Sequence, residues 1–173
     1  MRAGFVPEVE TARLLLRGWR DGDLDAYAEL SADPEVMLHL GGPVDRLQTW
    51  RGMALHAGHW ALRGYGNWVL ERRADGVLVG RAGLWNPEGW PGLEVGWTLA
   101  RHAWGHDYAT EAGVAARDWA WATLDAERLI SLIRPGNAAS ARVAERLGMR
   151  RVGVETLYDE PIDVYGVSRP GSA

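Results

Sequence analysis

The stretch W104-G-H-D-Y-A-T-E-A112 decides how the rest of the chain is read. A glycine-containing turn runs directly into alanine-rich sequence, which predicts the start of a helix. The first turn of any helix has N–H groups without intrahelical partners and a partial positive charge, so it can seat an anion. The stretch is preceded by L93-E-V-G-W-T-L99, whose alternation predicts a strand. Strand, turn and helix in that order aim backbone N–H groups at a ligand. Ala109, Ala112, Gly113 and Ala116 would give the helix a small face that lets backbone or ligand come close. The plainer reading also stands: Asp107 is an N-cap and the alanines only favour helix.

In the feeding strand, period two puts Leu93, Val95, Trp97 and Leu99 on one face, and Glu94, Gly96 and Thr98 on the other. Glu94 is then a carboxylate on an open face beside a position without a side chain, where a ligand could lie. The alternative is an exposed Glu with Gly at a bulge. A third segment, N137-A-A-S-A-R-V-A-E-R-L-G-M149, starts with a capping residue, and Ser140 lies one turn beyond Asn137. Both could equally be structural, Asn137 as a cap and Ser140 bonded to its own backbone.

Outward from these segments the chain alternates between strand and helix patterns. Leu14 to Trp19 predicts a strand, and residues 21–33 a helix ended by Asp33-Pro34. Leu47, Trp50, Met53, Ala54, Ala57 and Ala61 predict the buried face of a second helix. Asn67 to Arg72 and Val77 to Trp85 predict strands joined at Ala74-Asp75-Gly76. A helix is expected from Tyr108 to Leu124, a strand from Arg128 to Ile133, and a helix from Asn137 to Leu147 closed by Gly148. Val152 to Thr156 and Asp163 to Val167 complete the strands. No repeat or linker divides the 173 residues, so one α/β domain over 1–173 is expected, its mixed, mostly antiparallel sheet flanked by helices.

Composition excludes several classes. A net charge of −4 argues against general nucleic-acid binding, which needs a basic face. The absence of cysteine removes disulfides and thiol catalysis. The first residues lack the apolar core of a signal peptide and no later run has membrane-spanning length, so a soluble, cytoplasmic protein is expected. His56 and His59, and His102 and His106, are spaced for one helix face or turn, but no third ligand accompanies them and no metal is expected. Ten Trp against one Phe predicts large aromatic fillers in a core or a pocket wall, with Trp85 before and Trp90 within the N86-P-E-G-W-P-G92 loop.

Taken together, T11-A-R-L-L-L-R17, Y108-A-T-E-A112 and the N-x-x-S-x-R-V-x-E-x-L-G run of residues 137–148 resemble the GNAT superfamily of acyl-CoA-dependent N-acetyltransferases. The resemblance extends over nearly the whole chain and is greatest to the branch containing the ribosomal-protein N-terminal acetyltransferases. It implies a GNAT fold whose splayed strand pair binds acyl-CoA, and transfer of an acetyl group from acetyl-CoA to a primary amine, either a protein N-terminus or a small molecule. A non-catalytic acyl-CoA-binding or regulatory domain is the alternative. A homodimer is compatible with the sequence.

The family's pyrophosphate turn, Gln/Arg-x-x-Gly-x-Gly/Ala, falls on Trp104, Gly105, His106, Asp107, Tyr108 and Ala109, followed by Thr110. Trp stands in the Gln/Arg place. Asp107 stands where Gly is usual, an unfavourable charge unless its side chain turns outward or caps the helix. The resemblance further implies pantetheine along Trp97, Thr98 and Leu99, with Asn137 facing it and Ser140 near the sulfur. Ala144 takes the place of a Tyr that many relatives use as the acid, so Ser140 serves or the thiolate leaves without one. Met149 replaces a Phe, a change of packing. Glu94 is the expected base, directly or through water, with the Val95 N–H as oxyanion donor. The acceptor pocket is expected around Glu35 to Pro43 and Asn86 to Gly92.

Overall fold

The computed structural model describes residues 6–171; the remaining seven residues of the expected domain lie outside them. Eight strands form one sheet: β1 (Val9–Glu10), β2 (Leu14–Arg17), β3 (Asn67–Arg72), β4 (Leu78–Trp85), β5 (Glu94–Leu99), β6 (Arg128–Ile133), β7 (Arg150–Leu157) and β8 (Glu160–Ser168), in the spatial order β1-β2-β3-β4-β5-β6-β8-β7. Every neighbouring pair is antiparallel except β5 and β6. Four helices, α1 (Leu24–Ala32), α2 (Arg46–Arg63), α3 (Tyr108–Thr123) and α4 (Ala138–Arg146), connect and cover it. The expected mixed sheet is present. β2 ends at Arg17, two residues earlier than its pattern suggested.

The parallel pair follows from topology. The chain leaves β5 at the centre of the sheet, crosses through α3, and returns beside it as β6; parallel neighbours need such a crossover, which here is helical. The pair makes a single rung, Glu94 with Ile130, whereas β4 and β5 stay in register from Gly80–Leu99 to Trp85–Glu94. Beyond that rung β5 and β6 diverge.

The small face of α3 serves the crossover. Ala112, Ala116 and Ala120 are fully buried in one core with Leu84, Val95 and Leu129. A side chain at Gly113 would meet Leu147 Cδ2 at 2.8 Å, so glycine sets how closely α3 and α4 approach. Trp60, Trp68 and Trp119 pack edge-to-face in the same core, with centroids 4.8 to 5.8 Å apart. The tryptophans divide between the two expected settings, since Trp85, Trp90 and Trp97 line a cavity instead.

The opposite face of the sheet is covered by α1 and α2. Here the expected face of α2 is corrected. Leu47 and Trp50 are about half exposed and Ala54, Ala57 and Ala61 are exposed, while Thr49, Met53, His56, His59 and Trp60 turn inward. The histidines are buried because aromatic partners receive them. His56 stacks on Trp19 and His59 on Trp85, at 5.4 and 4.5 Å. The Asn86 N–H reaches His59 Nε2 at 3.3 Å, leaving Nδ1 to donate to the Tyr65 carbonyl at 2.7 Å, so both ring nitrogens are held.

The same side is pinned by a buried ion cluster. Arg17 donates through Nη1 and Nη2 to both oxygens of Asp23 at 2.9 and 2.8 Å, and through Nε to Glu71 at 2.6 Å. Asp23 also accepts the Arg20 N–H at 2.7 Å, which fixes the chain entering α1. Removing one partner of a buried pair leaves an uncompensated charge. Asp23→Ala is therefore expected to destabilise the fold by about 3–5 kcal/mol, read as a lowered urea midpoint. An unchanged midpoint would show that the cluster is dispensable.

Candidate functional site

Two cavities meet beside the divergence of β5 and β6. The larger, about 780 Å³, lies between the turn before α3, the first turns of α4 and the Trp97–Leu99 edge of β5. The smaller, about 510 Å³, lies over the opposite sheet face, beneath α2 and the β7–β8 hairpin. Trp97, Thr98, Asn137 and Ser140 line both. His39 and Leu40, from the segment after α1, also border both, so the 35–43 segment does reach the site.

The turn into α3 uses two left-handed residues, Gly105 at φ 77° and Asp107 at φ 59°. Asp107 occupies the N-cap position, but its side chain makes no cap bond. It turns instead to α4, where Arg146 Nη1 donates to its Oδ1 at 2.7 Å. Its side chain thus neither caps the helix nor leaves the site: Asp107 lines the larger cavity with its carboxylate paired to Arg146 in the same wall. The first-turn N–H groups of α3 are left without a side-chain acceptor. Trp104 Nε1 donates to the Leu99 carbonyl at 3.0 Å and so ties the turn to the end of β5. Gly105, Tyr108, Ala109 and Thr110 line the larger cavity; His106 does not, its ring stacking on Tyr108 at 5.5 Å.

The Thr98 and Thr110 hydroxyls are buried with no partner among the described residues, and both residues line the larger cavity. Each is a polar group desolvated in advance of a ligand. Arg142 and Arg146, one turn apart on α4, bring cations to the same wall. Both were missed in the sequence, although the R-x-x-x-R spacing beyond Ser140 carried the signal. Asn137 caps α4 through Oδ1, which accepts the Ser140 N–H at 3.1 Å. That leaves its amide nitrogen for the cavity. Ala144 is fully buried in the core and offers no proton donor. Met149 is buried as expected for packing, with Ser131 Oγ 3.3 Å from its sulfur.

Glu94 corrects the expectation of an open strand face. The side it shares with Gly96 and Thr98 is a cavity wall, closed partly by Trp90 from the 86–92 loop. Trp90 Nε1 donates to Glu94 Oε2 at 2.8 Å and the Leu132 N–H to Oε1 at 3.4 Å. Burial raises the carboxyl to a pKa of about 7, outweighing those two bonds and the positive charge of Arg81, which pull the other way. A side chain at Gly96 would find nothing within 4 Å but the Glu94 carboxylate, so the space beside it is open.

Val95 carries its carbonyl toward β6, where Ser131 Oγ donates to it at 2.6 Å. The single parallel rung, with the Ile130 N–H bonded to the Leu93 carbonyl, directs the Val95 N–H at Ile130. The next N–H along that edge, beyond the pairing, belongs to Trp97. The described residues contain no group of three potential metal ligands, and no helix among them is long and apolar enough to cross a membrane.

Comparison with known proteins accords with this arrangement. Residues 13–150 match the acetyltransferase (GNAT) domain family. The chain is 34% identical over 163 residues to the uncharacterized protein YkkB of Bacillus subtilis (strain 168), covering 90% of this chain and 92% of that one. It is 27% identical to the uncharacterized N-acetyltransferase p20 of Bacillus licheniformis, covering 90% and 91%. Its fold superposes with a TM-score of 0.84 on the crystal structure of an acetyltransferase from Agrobacterium tumefaciens str. C58, at 33% identity and covering 95% and 96% of the two chains. The chain belongs to the GNAT acetyltransferase family and is an acetyl-CoA-dependent N-acetyltransferase.

Proposed function

We propose that the protein acetylates a primary amine by direct attack on acetyl-CoA, with CoA in the larger cavity and the amine entering from the smaller one. The observation that carries this is the junction of the two cavities beside a half-buried carboxylate whose pKa desolvation raises to about 7. The likeness of the 11–17, 108–112 and 137–148 segments to the branch of ribosomal-protein N-terminal acetyltransferases supports this reading. A protein N-terminus and a small-molecule amine both satisfy the chemistry.

The pyrophosphate lies over Gly105 to Thr110, held by the uncapped N–H groups of α3 and by the Thr110 hydroxyl, with Arg142 and Arg146 at its side. Pantetheine follows the free edge of β5 from Leu99 to Trp97, facing Asn137, and brings the thioester to Ser140. The amine loses its proton to Glu94, directly or through a water, and attacks the carbonyl carbon. The carbonyl oxygen gains charge as the new C–N bond forms and is met by a β5 backbone N–H. Val95 is the residue implied by family likeness; the edge geometry favours Trp97. The C–S bond then breaks, and Ser140 stabilises the departing thiolate.

Glu94→Gln keeps the shape and removes the base. Turnover at neutral pH is expected to fall by about 10²- to 10⁴-fold with little change in CoA affinity. Wild-type activity should rise with pH through about 7 as Glu94 ionises, and the Gln variant should lack that inflection. Linkage gives a second readout. A folded-state pKa above the unfolded one means that the native state holds its proton more tightly, so stability is lost as pH rises from about 4.5 through 7. Glu94→Gln should therefore gain stability relative to wild type between pH 5 and pH 8, measured by denaturation at both. Wild-type turnover in the variant would remove Glu94 from the mechanism.

Ser140→Ala is expected to lower kcat about tenfold while changing CoA affinity less, since the hydroxyl matters most as sulfur gains charge. Parallel losses in kcat and CoA affinity would reduce Ser140 to a binding group.

Asp107→Gly should both relieve a left-handed non-glycine residue and free Arg146 for phosphate. Calorimetry is expected to show CoA binding several-fold more tightly. Weaker binding would mean that the Asp107–Arg146 pair holds the turn in shape.

A further inference from the structure

The register of β4 on β5 arranges the floor of the smaller cavity in three steps. Trp85 stands opposite Glu94, Gly83 opposite Gly96, and Arg81 opposite Thr98. The middle step has no side chains, and the space beside Gly96 is open as far as the Glu94 carboxylate. Glu94 closes one end and Arg81 the other, with backbones roughly 13 Å apart at about 3.3 Å per residue.

Arg81 is a cation with no ion-paired partner among the described residues, its charge felt at Glu94 only across the cavity floor. Its Nε donates to the Tyr27 hydroxyl at 3.0 Å and its Nη1 to Asn67 Oδ1 at 2.9 Å, both neutral groups. It forms no ion pair among the described residues, although most arginines of this chain do. A half-buried guanidinium held in place by neutral partners is costly unless an anion arrives. Its Nη2 has no partner among the described residues, and the residue lines the cavity.

A second, independent group lies against the same cavity. His56 is 9% exposed, and its Nδ1 is buried with no hydrogen-bond partner among the described residues. Trp19 and Trp85 hold the ring, stacked at 5.4 Å and edge-on at 5.2 Å. Burial first, then the positive charge of Arg81, hold its pKa well below the usual value, so it meets a ligand as a neutral imidazole that can donate one N–H. At the rim Arg134 and Glu160 contribute one charge of each sign, which leaves the polarity of the site to its floor.

We propose that the acceptor is an amine bearing a carboxylate, and that Arg81 and His56 form the subsite that receives the carboxylate while the amine lies at Glu94. A zwitterion of this kind matches the cavity end for end. This inference rests on the acetyltransferase reading above and narrows its acceptor.

The test uses acceptor sets that share one carbon skeleton: a free amino acid, its amide, and the amine lacking the carboxyl group. Transfer from acetyl-CoA is measured for sets built on small, aliphatic, aromatic and acidic amino acids. In at least one set the amino acid should exceed its amide and its amine by tenfold or more in kcat/KM, mainly through KM. Arg81→Met should bring that ratio close to one, Arg81→Lys should restore part of it, and His56→Phe, which keeps a ring between the tryptophans, should lower it several-fold. CoA calorimetry reports whether Arg81→Met has folded; if it has not, Arg81→Lys and His56→Phe carry the comparison. Turnover of neutral amines without preference for the acid would overturn the subsite and leave the transferase intact. Should no set turn over, the transferase reading fails for these amines. Calorimetry of amino acid against amide into the CoA-saturated protein then decides the subsite, which falls unless the acid binds at least tenfold more tightly in an Arg81-dependent way.

Discussion

The site depends on one interrupted pairing. β5 and β6 run parallel in the middle of the sheet yet share only the rung of Glu94 with Ile130. Two strands that separate inside a sheet expose N–H and C=O groups to the interior, which is unfavourable unless something satisfies them. Here side chains and turns take over. Ser131 Oγ donates to the Val95 carbonyl, the Leu132 N–H reaches Glu94, and Trp104 Nε1 covers the Leu99 carbonyl. What these leave on the β5 edge is a short run at Trp97 to Leu99. The opening is therefore a maintained gap, suited to an extended ligand that pairs with backbone.

The two cavities inherit their character from the faces on either side of that gap. On the α3 side the walls are helix N-termini and arginines, with a carboxylate already matched to one of them. On the α2 side the walls mix aromatic rings with polar groups, some held by neighbours and others, such as His56 Nδ1, without a partner among the described residues. The alanines of α3 contribute indirectly. By letting α3 sit close to the sheet they bring its first turn level with the end of β5, so the turn and the free strand edge can address one molecule.

Much of this was legible in the sequence. The alternation of L93-E-V-G-W-T-L99 placed Glu94, Gly96 and Thr98 on one face, and the glycine turn and Asn137 cap lie where the local patterns put them. What was illegible came from contacts between distant segments. The face of α2 was misassigned because apolar periodicity assumes an apolar environment, and His56, His59 and Thr49 are buried against aromatic and polar neighbours from other elements. The enclosure of Glu94 depends on Trp90 closing over it from a loop of breakers whose path no local pattern specifies. Arg81 reads as one charge in an exposed-looking strand until β5 and α2 are placed beside it. Asp107 is the reverse case, since a residue unsuited to its local role is explained by Arg146 on another helix.

The environment of Glu94 bears on how a proton can move there at neutral pH. Burial opposes the charged carboxylate and is the largest influence on it, yet Trp90 and the Leu132 N–H are placed to stabilise that same charged form. The result is a group divided between its two states near pH 7, the condition under which a base both accepts and returns a proton readily. An incoming ammonium alters the balance. Its charge favours carboxylate, so the pair enters as ions, but the same desolvation that raises the Glu94 pKa lowers that of the amine. In a poorly solvated pocket the neutral pair of amine and carboxylic acid gains on the ion pair, and the proton crosses toward Glu94 without needing a stronger base. One physical cause, exclusion of water from the pocket, thus acts on donor and acceptor in opposite directions, and both changes lead to the free amine that attack requires.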